Sequence, residues 1–435
     1  MNNLRHVFRA LKHKNYRLFF TGQTISLTGT WIQQVALSWL VYRLTNSPFL
    51  LGVVGFVGQI PTFLVSPFAG VFADRHSRRN MLVITQSLSL LQASILALLI
   101  LTGKIQVWQI ILLSALLGIV NSFDIPIRQA FTVEMVGDRD DLPNAIALNS
   151  SMVNAARLVG PSIAGILIAV AGEGICFLLN AVSYIAVIWS LLAMKVTKRQ
   201  IEPQKRRVFH ELKEGISYAA GFAPIIWILL LLAFISLLGV PYQVLMPVFA
   251  KDIFHGGPYT LGFLVAMAGV GALIGAIYLA ARKTVLGLGR IIGQSAALFG
   301  IGIIAFALSQ TFWLSLLLLL ISGFGMMVQM ASSNIVLQTI VDEDKRGRVM
   351  SFYTMSFMGM SPFGSLLAGS LAGTIGAANT LLFGGICCII AAIIFTLKLP
   401  EIKKKIHPIY AKKGIIPEVA AGLQSATGLV ALTKE

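Results

Sequence analysis

Long apolar runs broken by short polar segments organise the sequence. Twelve runs stand out, at 16–43, 49–72, 81–102, 105–127, 143–171, 174–195, 222–250, 258–282, 290–309, 313–335, 347–375 and 378–398. A helix rises 1.5 Å per residue, so a run of about 20 residues crosses a hydrocarbon core about 30 Å thick. The pattern predicts an all-α membrane protein of 12 transmembrane helices. The longest internal polar stretch, KVTKRQIEPQKRRVFHELKE at 195–214, separates the first six runs from the last six. Two six-helix bundles are therefore expected, and weak internal similarity agrees. SPFLLG opens run 2 at Ser47 and GPYTLG opens run 8 at Gly257, with Pro48 and Pro258 separated by 210 residues. A second, looser pair sets Gln129 and Pro161 against Gln338 and Pro362, bracketing the loop and helix of runs 4 to 5 and 10 to 11. Repeated halves of this kind are how many transporters build two bundles that rock about a midplane site.

Composition narrows the class without changing this picture. Apolar residues make up 56% of the 435 positions and charged ones 12%, with a mean hydropathy of +0.82. A soluble domain carries about 25% charged residues. The net charge of +17 raises nucleic acid as a partner, and the placement of the bases answers it. With the N-terminus assigned to the cytoplasm, 30 of the 34 Lys and Arg fall in alternate loops and the two tails. Arg43, Lys104 and Lys251 fall on the other side, and Arg157 lies inside a run. That asymmetry follows the positive-inside rule and predicts cytoplasmic termini. A contiguous basic face, which nucleic acid requires, is missing from the pattern.

The expected organisation is a cytoplasmic N-terminal segment over 1–15, a first bundle over 16–195, a cytoplasmic linker over 196–221, a second bundle over 222–398 and a cytoplasmic tail over 399–435. The N-terminal stretch is basic and amphipathic, and is expected to form a surface helix leading into run 1. In the linker, Val208, Phe209, Leu212, Ile216 and Tyr218 recur at near-helical spacing among charges, which predicts an amphipathic helix on the membrane surface. The three cysteines, Cys176, Cys387 and Cys388, read as small packing residues, since neighbours in one helix are poorly placed for a structural disulfide.

Chemistry gathers first at GVFADRHSRRN, between runs 2 and 3. Asp74 is its single acid, among Arg75, Arg78 and Arg79. A carboxylate there can accept hydrogen bonds from a helix N-terminus while pairing with Arg, and so latch two elements. The plainer alternative is that the arginines only hold topology. Asp124 and Arg128, placed at the cytoplasmic end of run 4, are positioned to extend the pairing towards Arg78. The counterpart loop after run 8, ARKTVLGLGR, has bases and no carboxylate, so the latch is expected to be one-sided.

Arg157 is the outlier. It falls about 21 Å into run 5, too deep to reach either interface easily, and a charge at that depth is expected to face protein or a water-filled cavity. Ser150, Asn154, Arg157 and Pro161 share a helical face at steps of 4, 3 and 4. No acid lies at comparable depth in any run. An anionic substrate, or helix carbonyls and Gln side chains, could serve as its partner; a structural Arg bonded to neighbouring backbone is the alternative. In run 1, Gln23, Ser26, Thr30 and Gln33 form a similar stripe, with Trp31 and Gln34 beside it. Ser322, Met326, Gln329 and Ser333 form another in run 10. Met326, Met327, Met330, Met355, Met358 and Met360 read either as an adaptable apolar wall or as ordinary core.

Two six-helix halves, a basic central loop and GVFADRHSRR together resemble the major facilitator superfamily, whose hairpin signature reads G, three residues, D, R, x, G, x, R, R. Gly70, Asp74, Arg75, Arg78 and Arg79 match, and Ser77 replaces the second glycine. TWIQQVALSWLVYRLTNSP, FDIPIRQAF and DLPNAIALNSSMVNAARLVGP are similar to the branch with enterobactin and macrolide exporters. The resemblance covers about residues 10 to 400. It implies that the hairpin acid meets the start of run 11, near 347–350, and that runs 1, 4, 7 and 10 surround a central cavity. Asn121, Gln243 and Gln329 would then be exposed there, beside Gln33, Gln34 and Trp31. Gly160, Pro161 and Gly165 resemble an exporter signature, GPxxGG, with Ala164 at its first closing glycine, and small residues beside a proline suit close packing of a bent helix.

No Walker loop, zinc-ligand cluster or Ser, His and acid arrangement stands in a fitting context, so an enzyme, a metal centre and a cofactor are not expected. The expected function is export of a small organic molecule, drug or siderophore-like, with an anionic one suggested by Arg157, by alternating access with proton antiport. The expected setting is a bacterial cytoplasmic membrane and the expected state a monomer. The alternatives are efflux of neutral or cationic lipophiles, lipid movement, and a channel or membrane scaffold.

Overall fold

The structure, a computed structural model, describes residues 8–73, 76–136, 139–194, 217–282, 284–343 and 345–415, with side chains for all of these except 66–73 and 139. A short 3-10 turn, Arg9–Lys12, precedes the helices α1 (Lys14–Thr45), α2 (Pro48–Ala73), α3 (Arg78–Leu101), α4 (Val107–Met135), α5 (Leu142–Ala171) and α6 (Glu173–Ala193). After the linker come α7 (Ala223–Ile253), α8 (Pro258–Ala280), α9 (Leu288–Leu308), α10 (Phe312–Ile340), α11 (Arg346–Ile375) and α12 (Ala377–Lys412). Among the described residues, ten of these are long and apolar enough to cross a membrane. The other two are α1, which carries the Gln and Thr stripe, and α11, which opens on Arg346 and Arg348 and is broken by a π turn at Met355–Gly359.

Several boundaries differ from the hydropathy reading. Helix α4 continues past 127 to Met135 with Pro126 inside it, so Asp124 and Arg128 lie within the helix and not at its end. Helix α12 runs on past 398, and the expected tail boundary falls in mid-helix. The expected linker helix lies mostly outside the described residues; of its apolar face Tyr218 is described, and its hydroxyl donates to Asp342 at 3.2 Å. Helix α7 contains two π turns, Ile235–Gly239 and Phe249–Ile253. A π turn widens the helix and disturbs its hydrogen-bond ladder. The Ser236 hydroxyl in the first of these donates to the Phe357 carbonyl in the π turn of α11.

Within the first six helices α1 packs on α5 and α6, α3 on α4 and α6, and α2 on α4. Within the last six, α10 packs on α8 and α9, and α12 on α7 and α9. The loops after odd-numbered helices gather at one end, which is called here the Asn46 end. There Arg43 pairs with Glu173 at 2.6 Å, and Tyr42 donates to Asp252. The other, basic end holds the N-terminal segment, whose Lys12 and His13 reach Asp141 at 2.6 and 2.8 Å, while Arg9 also pairs with it. Hydrogen bonds from Lys12 and His13 hold the Asp141 carboxyl at about 2. A depressed folded value means that this staple adds stability above the ordinary carboxylate range and loses it as pH falls through about 2. Arg79 caps the end of α6 by donating to the Leu191 and Leu192 carbonyls, both at 2.7 Å.

The two halves meet chiefly along α2 with α11 and α5 with α8. Both crossings are made by glycines. A Cβ built on Gly52 would stand 2.6 Å from the Ser365 carbonyl oxygen and 2.9 Å from the Gly369 Cα. One built on Gly262 would stand 2.8 Å from the Pro161 carbonyl oxygen and 2.9 Å from the Gly165 Cα. Gly52 and Gly262 are separated by the same 210 residues that relate Pro48 to Pro258, so the repeat reappears as a pair of equivalent contacts. Lipid tails give helices no hydrophobic drive to associate, and small residues supply close backbone packing instead. Gly52→Ala and Gly262→Ala should each destabilise the detergent-purified protein by about 1–3 kcal/mol, as overpacking does. Gly373→Ala, at an open position on α11, should be neutral or mildly stabilising in the same thermal unfolding series.

Candidate functional site

Arg157 stands near the α5–α8 crossing, where α5 also meets α1. Its guanidinium carbon lies 5.8 Å from the centre of the Trp31 ring on α1, within cation–π range. Its backbone oxygen is 3.5 Å from the Cβ position of Gly269 on α8, and its charge acts on Tyr242 of α7. It is half-buried, and among the described residues it has neither a carboxylate partner nor a hydrogen bond. Proximity to Gly160 explains the placement. A Cβ there would meet the Trp31 Cβ at 2.5 Å, so glycine lets α5 close on α1 and seats the indole beneath the guanidinium one turn away.

The remaining candidates separate into two groups. Trp31, Asn121, Asn154 and Gln243 are partly exposed and Gln34 is exposed, whereas Gln33 and Gln329 are buried to within 3% and 1%. Asn154 donates to the Ser150 carbonyl at 2.9 Å and Gln243 lies 3.4 Å from the Tyr242 hydroxyl. The expectation of a cavity-facing Gln33 is corrected. Its amide donates to Gln92 at 3.2 Å and accepts from Asn180 at 2.7 Å, forming a three-helix polar network inside the first six helices. Gln329 is likewise turned into packing, with its amide 3.3 Å from Ser333 on its own helix. Of the methionines, Met326 is buried, but Met355, Met358 and Met360 on α11 are exposed.

Arg78 does not meet Asp124. It pairs with Glu134 at 2.9 Å and donates to the Ala130 carbonyl at 3.3 Å, because the extra turns of α4 bring Glu134 to the hairpin. Asp124 lies 4% exposed and 11 residues before the end of α4. It accepts hydrogen bonds from Thr85 at 2.8 Å and Gln86 at 2.7 Å, with Arg128 3.4 Å away. Asp74 and Arg75 lie outside the described residues, and Gly70 lies in the part of α2 without described side chains.

Several cross-half contacts escaped the sequence reading. At the Asn46 end Tyr42 donates to Asp252, and Lys251 donates to Asn46 at 2.5 Å while resting 5.6 Å from the Tyr42 ring centre. Tyr42 and Asp252 are again 210 residues apart, so they are equivalent positions of the two halves that meet each other. The offset itself was the available signal. Further into the structure Ser361 donates to Gln59 at 3.0 Å, and Phe363 packs edge-on to Phe56 and Phe63.

Comparison with known proteins agrees with this architecture. Residues 6–435 match the family described as transmembrane secretion effector. The staphyloferrin A transporter of Staphylococcus aureus is 30% identical over 398 residues, covering 90% of this chain and 98% of its own. Macrolide efflux protein A of Streptococcus pyogenes is 24% identical over 410 residues, with the same coverage. The enterobactin exporter EntS of Escherichia coli is 24% identical over 399 residues, covering 90% of this chain and 93% of its own. Among solved structures, a bacterial homologue of the human lysosomal transporter Spinster, in an inward-facing and unoccupied conformation, superposes with a TM-score of 0.71. At 13% identity, over 90% of this chain and 98% of that one, it shares the fold. With the family matched over nearly the whole sequence and the repeated helix packing in view, this chain belongs to the transmembrane secretion effector family of major facilitator transporters.

Proposed function

We propose that this protein exports a small organic molecule from a bacterial cytoplasm by alternating access, and that the molecule presents an anionic or strongly accepting group to Arg157. The observation that carries the reading is a half-buried guanidinium at the junction of α1, α5, α7 and α8 with no carboxylate partner among the described residues. An intramembrane charge is costly unless something completes it, and a substrate anion completes it only while bound. Relatives named for staphyloferrin A and enterobactin support a siderophore-like cargo.

In this reading the chain crosses the membrane twelve times, with both termini and the basic end in the cytoplasm. Two bundles, 16–195 and 222–398, rock about the glycine crossings, and a monomer suffices. The clasp of Tyr42 and Asp252 closes the outer end, and Asp74 latches the inner end when the outer one opens. The exposed methionines on α11 favour a second reading, efflux of a lipophile, which the relative named for macrolide efflux also supports.

Proton entry drives the cycle in this proposal, and Asp124 is its carrier. It is a buried carboxylate 11 residues inside the end of α4, and its hydrogen bonds to α3 would weaken on protonation. Asp124→Asn keeps an acceptor for Thr85 and Gln86 but removes the titratable group. In vesicles it should abolish gradient-driven flux and spare counterflow exchange; loss of both would mean a folding or binding defect instead. For the site itself, titration of purified protein with candidate anions should show Arg157→Ala weakening binding about tenfold or more, with Arg157→Lys in between. Equal affinity in all three proteins would remove Arg157 from the substrate site.

A further inference from the structure

Helix α12 is too long for its task as a span. Its 36 residues extend about 54 Å, well beyond a hydrocarbon core of about 30 Å. Past Lys398 it becomes amphipathic. Leu399, Ile402, Ile406 and Tyr410 recur at steps of 3, 4 and 4 and are 2–9% exposed, whereas Lys403, Lys404 and Lys405 are exposed, Lys403 at the edge of the buried face. Beyond its end, Lys413 donates to the Thr339 carbonyl at the end of α10, at 2.7 Å, so the extension is tied back onto the second half.

Beneath the extension lies a cavity of about 190 Å³. Its walls are Ile228 of α7, Ile292 of α9, Val336 of α10, and Phe395 and Ile406 of α12, and the segment from Val285 to Gly289 after α8 roofs it. The volume is about six times the ~30 Å³ share of a liquid water, yet the walls offer water almost nothing to bond. An apolar void of that kind takes an apolar occupant. Basic side chains gather at this cavity. Lys403 and His407 line it, and Arg282, which donates to the Leu286 carbonyl at 2.9 Å, keeps a buried Nε with no partner. Glu401 is engaged with Lys398 and Lys405 on its own helix, and the sequence has no acid from 253 to 341.

We propose that this cavity is a site for an anionic membrane phospholipid, one acyl chain filling the apolar void and the headgroup phosphate held by Lys403, His407 and Arg282. The loop after α8 is the counterpart of the charged hairpin after α2. It lacks the hairpin's acid, so Arg282 has a buried Nε left to meet an external anion, as basic pockets at the cytoplasmic interface do. The bound lipid would splint the α12 extension against α7, α9 and α10. The inference rests on the membrane orientation proposed above but not on the identity of the transported molecule.

Native mass spectrometry of the full-length protein tests this, using phosphatidylglycerol and phosphatidylcholine with identical acyl chains. Wild-type protein should retain phosphatidylglycerol preferentially. Ile406→Trp and, from the loop side, Gly289→Leu should fill the void and abolish the retained adduct. Lys403→Ala with His407→Ala should weaken phosphatidylglycerol alone, by roughly fivefold or more. Thermal unfolding of each variant identifies any that fails to fold, and the two void-filling changes are independent of each other. Adducts unchanged by both fillings, or equal retention of the two lipids, would overturn the proposal. Loss with the charge variant only would also overturn it, since that is the behaviour of a charged surface without a chain site.

Discussion

Backbone contact at two glycine crossings is the constraint on which the rest of this fold depends. Gly52 against Gly369 and Gly262 against Gly165 let helices from opposite halves touch with no side chain between them. In lipid, apolar surface is already satisfied, so the halves are held by this close packing and by a few polar contacts. Such an interface is tight without being adhesive, which suits two bodies that tilt on each other. The same packing seats Arg157. Gly160 draws α5 onto α1 and Gly269 admits the backbone of Arg157, so the guanidinium is delivered to the seam between the halves.

Polar side chains follow a division of labour that burial makes visible. Inside the first six helices, Gln33, Gln92 and Asn180 satisfy one another, and Thr85 and Gln86 satisfy Asp124. These networks bind helices of one half together and move with it. Arg157, left without a carboxylate partner among the described residues, lies at the seam against Gly269 with Trp31 beside it. At the Asn46 end the Tyr42 and Asp252 pair joins the halves, with Tyr42 buried and Asp252 exposed to water. A contact of that type is cheap to break, which an outer gate requires in the proposed cycle.

Much of this was legible in the sequence because hydropathy and topology are written in long, redundant signals. The apolar runs gave the helices, and the offset between Pro48 and Pro258 gave the repeat that the glycine crossings and the Tyr42 and Asp252 contact both obey. Facing was less legible. Gln33 and Gln34 are adjacent and chemically identical, and only packing shows that one is locked into a network while the other is exposed. Helix ends were misjudged where polar residues continue a helix. Charges after 127 and after 398 looked like loops, yet α4 carries Glu134 to Arg78 and α12 carries its lysines onto the basic end. Hydropathy marks where a helix leaves the lipid, not where it stops. The Pro161 and Pro362 pairing also shifted, since Ser365 makes the contact with Gly52 that Pro161 makes with Gly262.

In the proposed cycle the halves tilt about the glycine crossings, closing one end as the other opens. Pulsed electron paramagnetic resonance on reconstituted protein measures this directly, with one spin-label pair at Asn80 and Ser351 on the basic end and another at Lys104 and Gln310 on the Asn46 end. Cys176, Cys387 and Cys388 would first be replaced. On acidification or addition of a transported compound, the account predicts that the first distance shortens while the second lengthens. Two distances that stay fixed, or that change in the same direction, would contradict it.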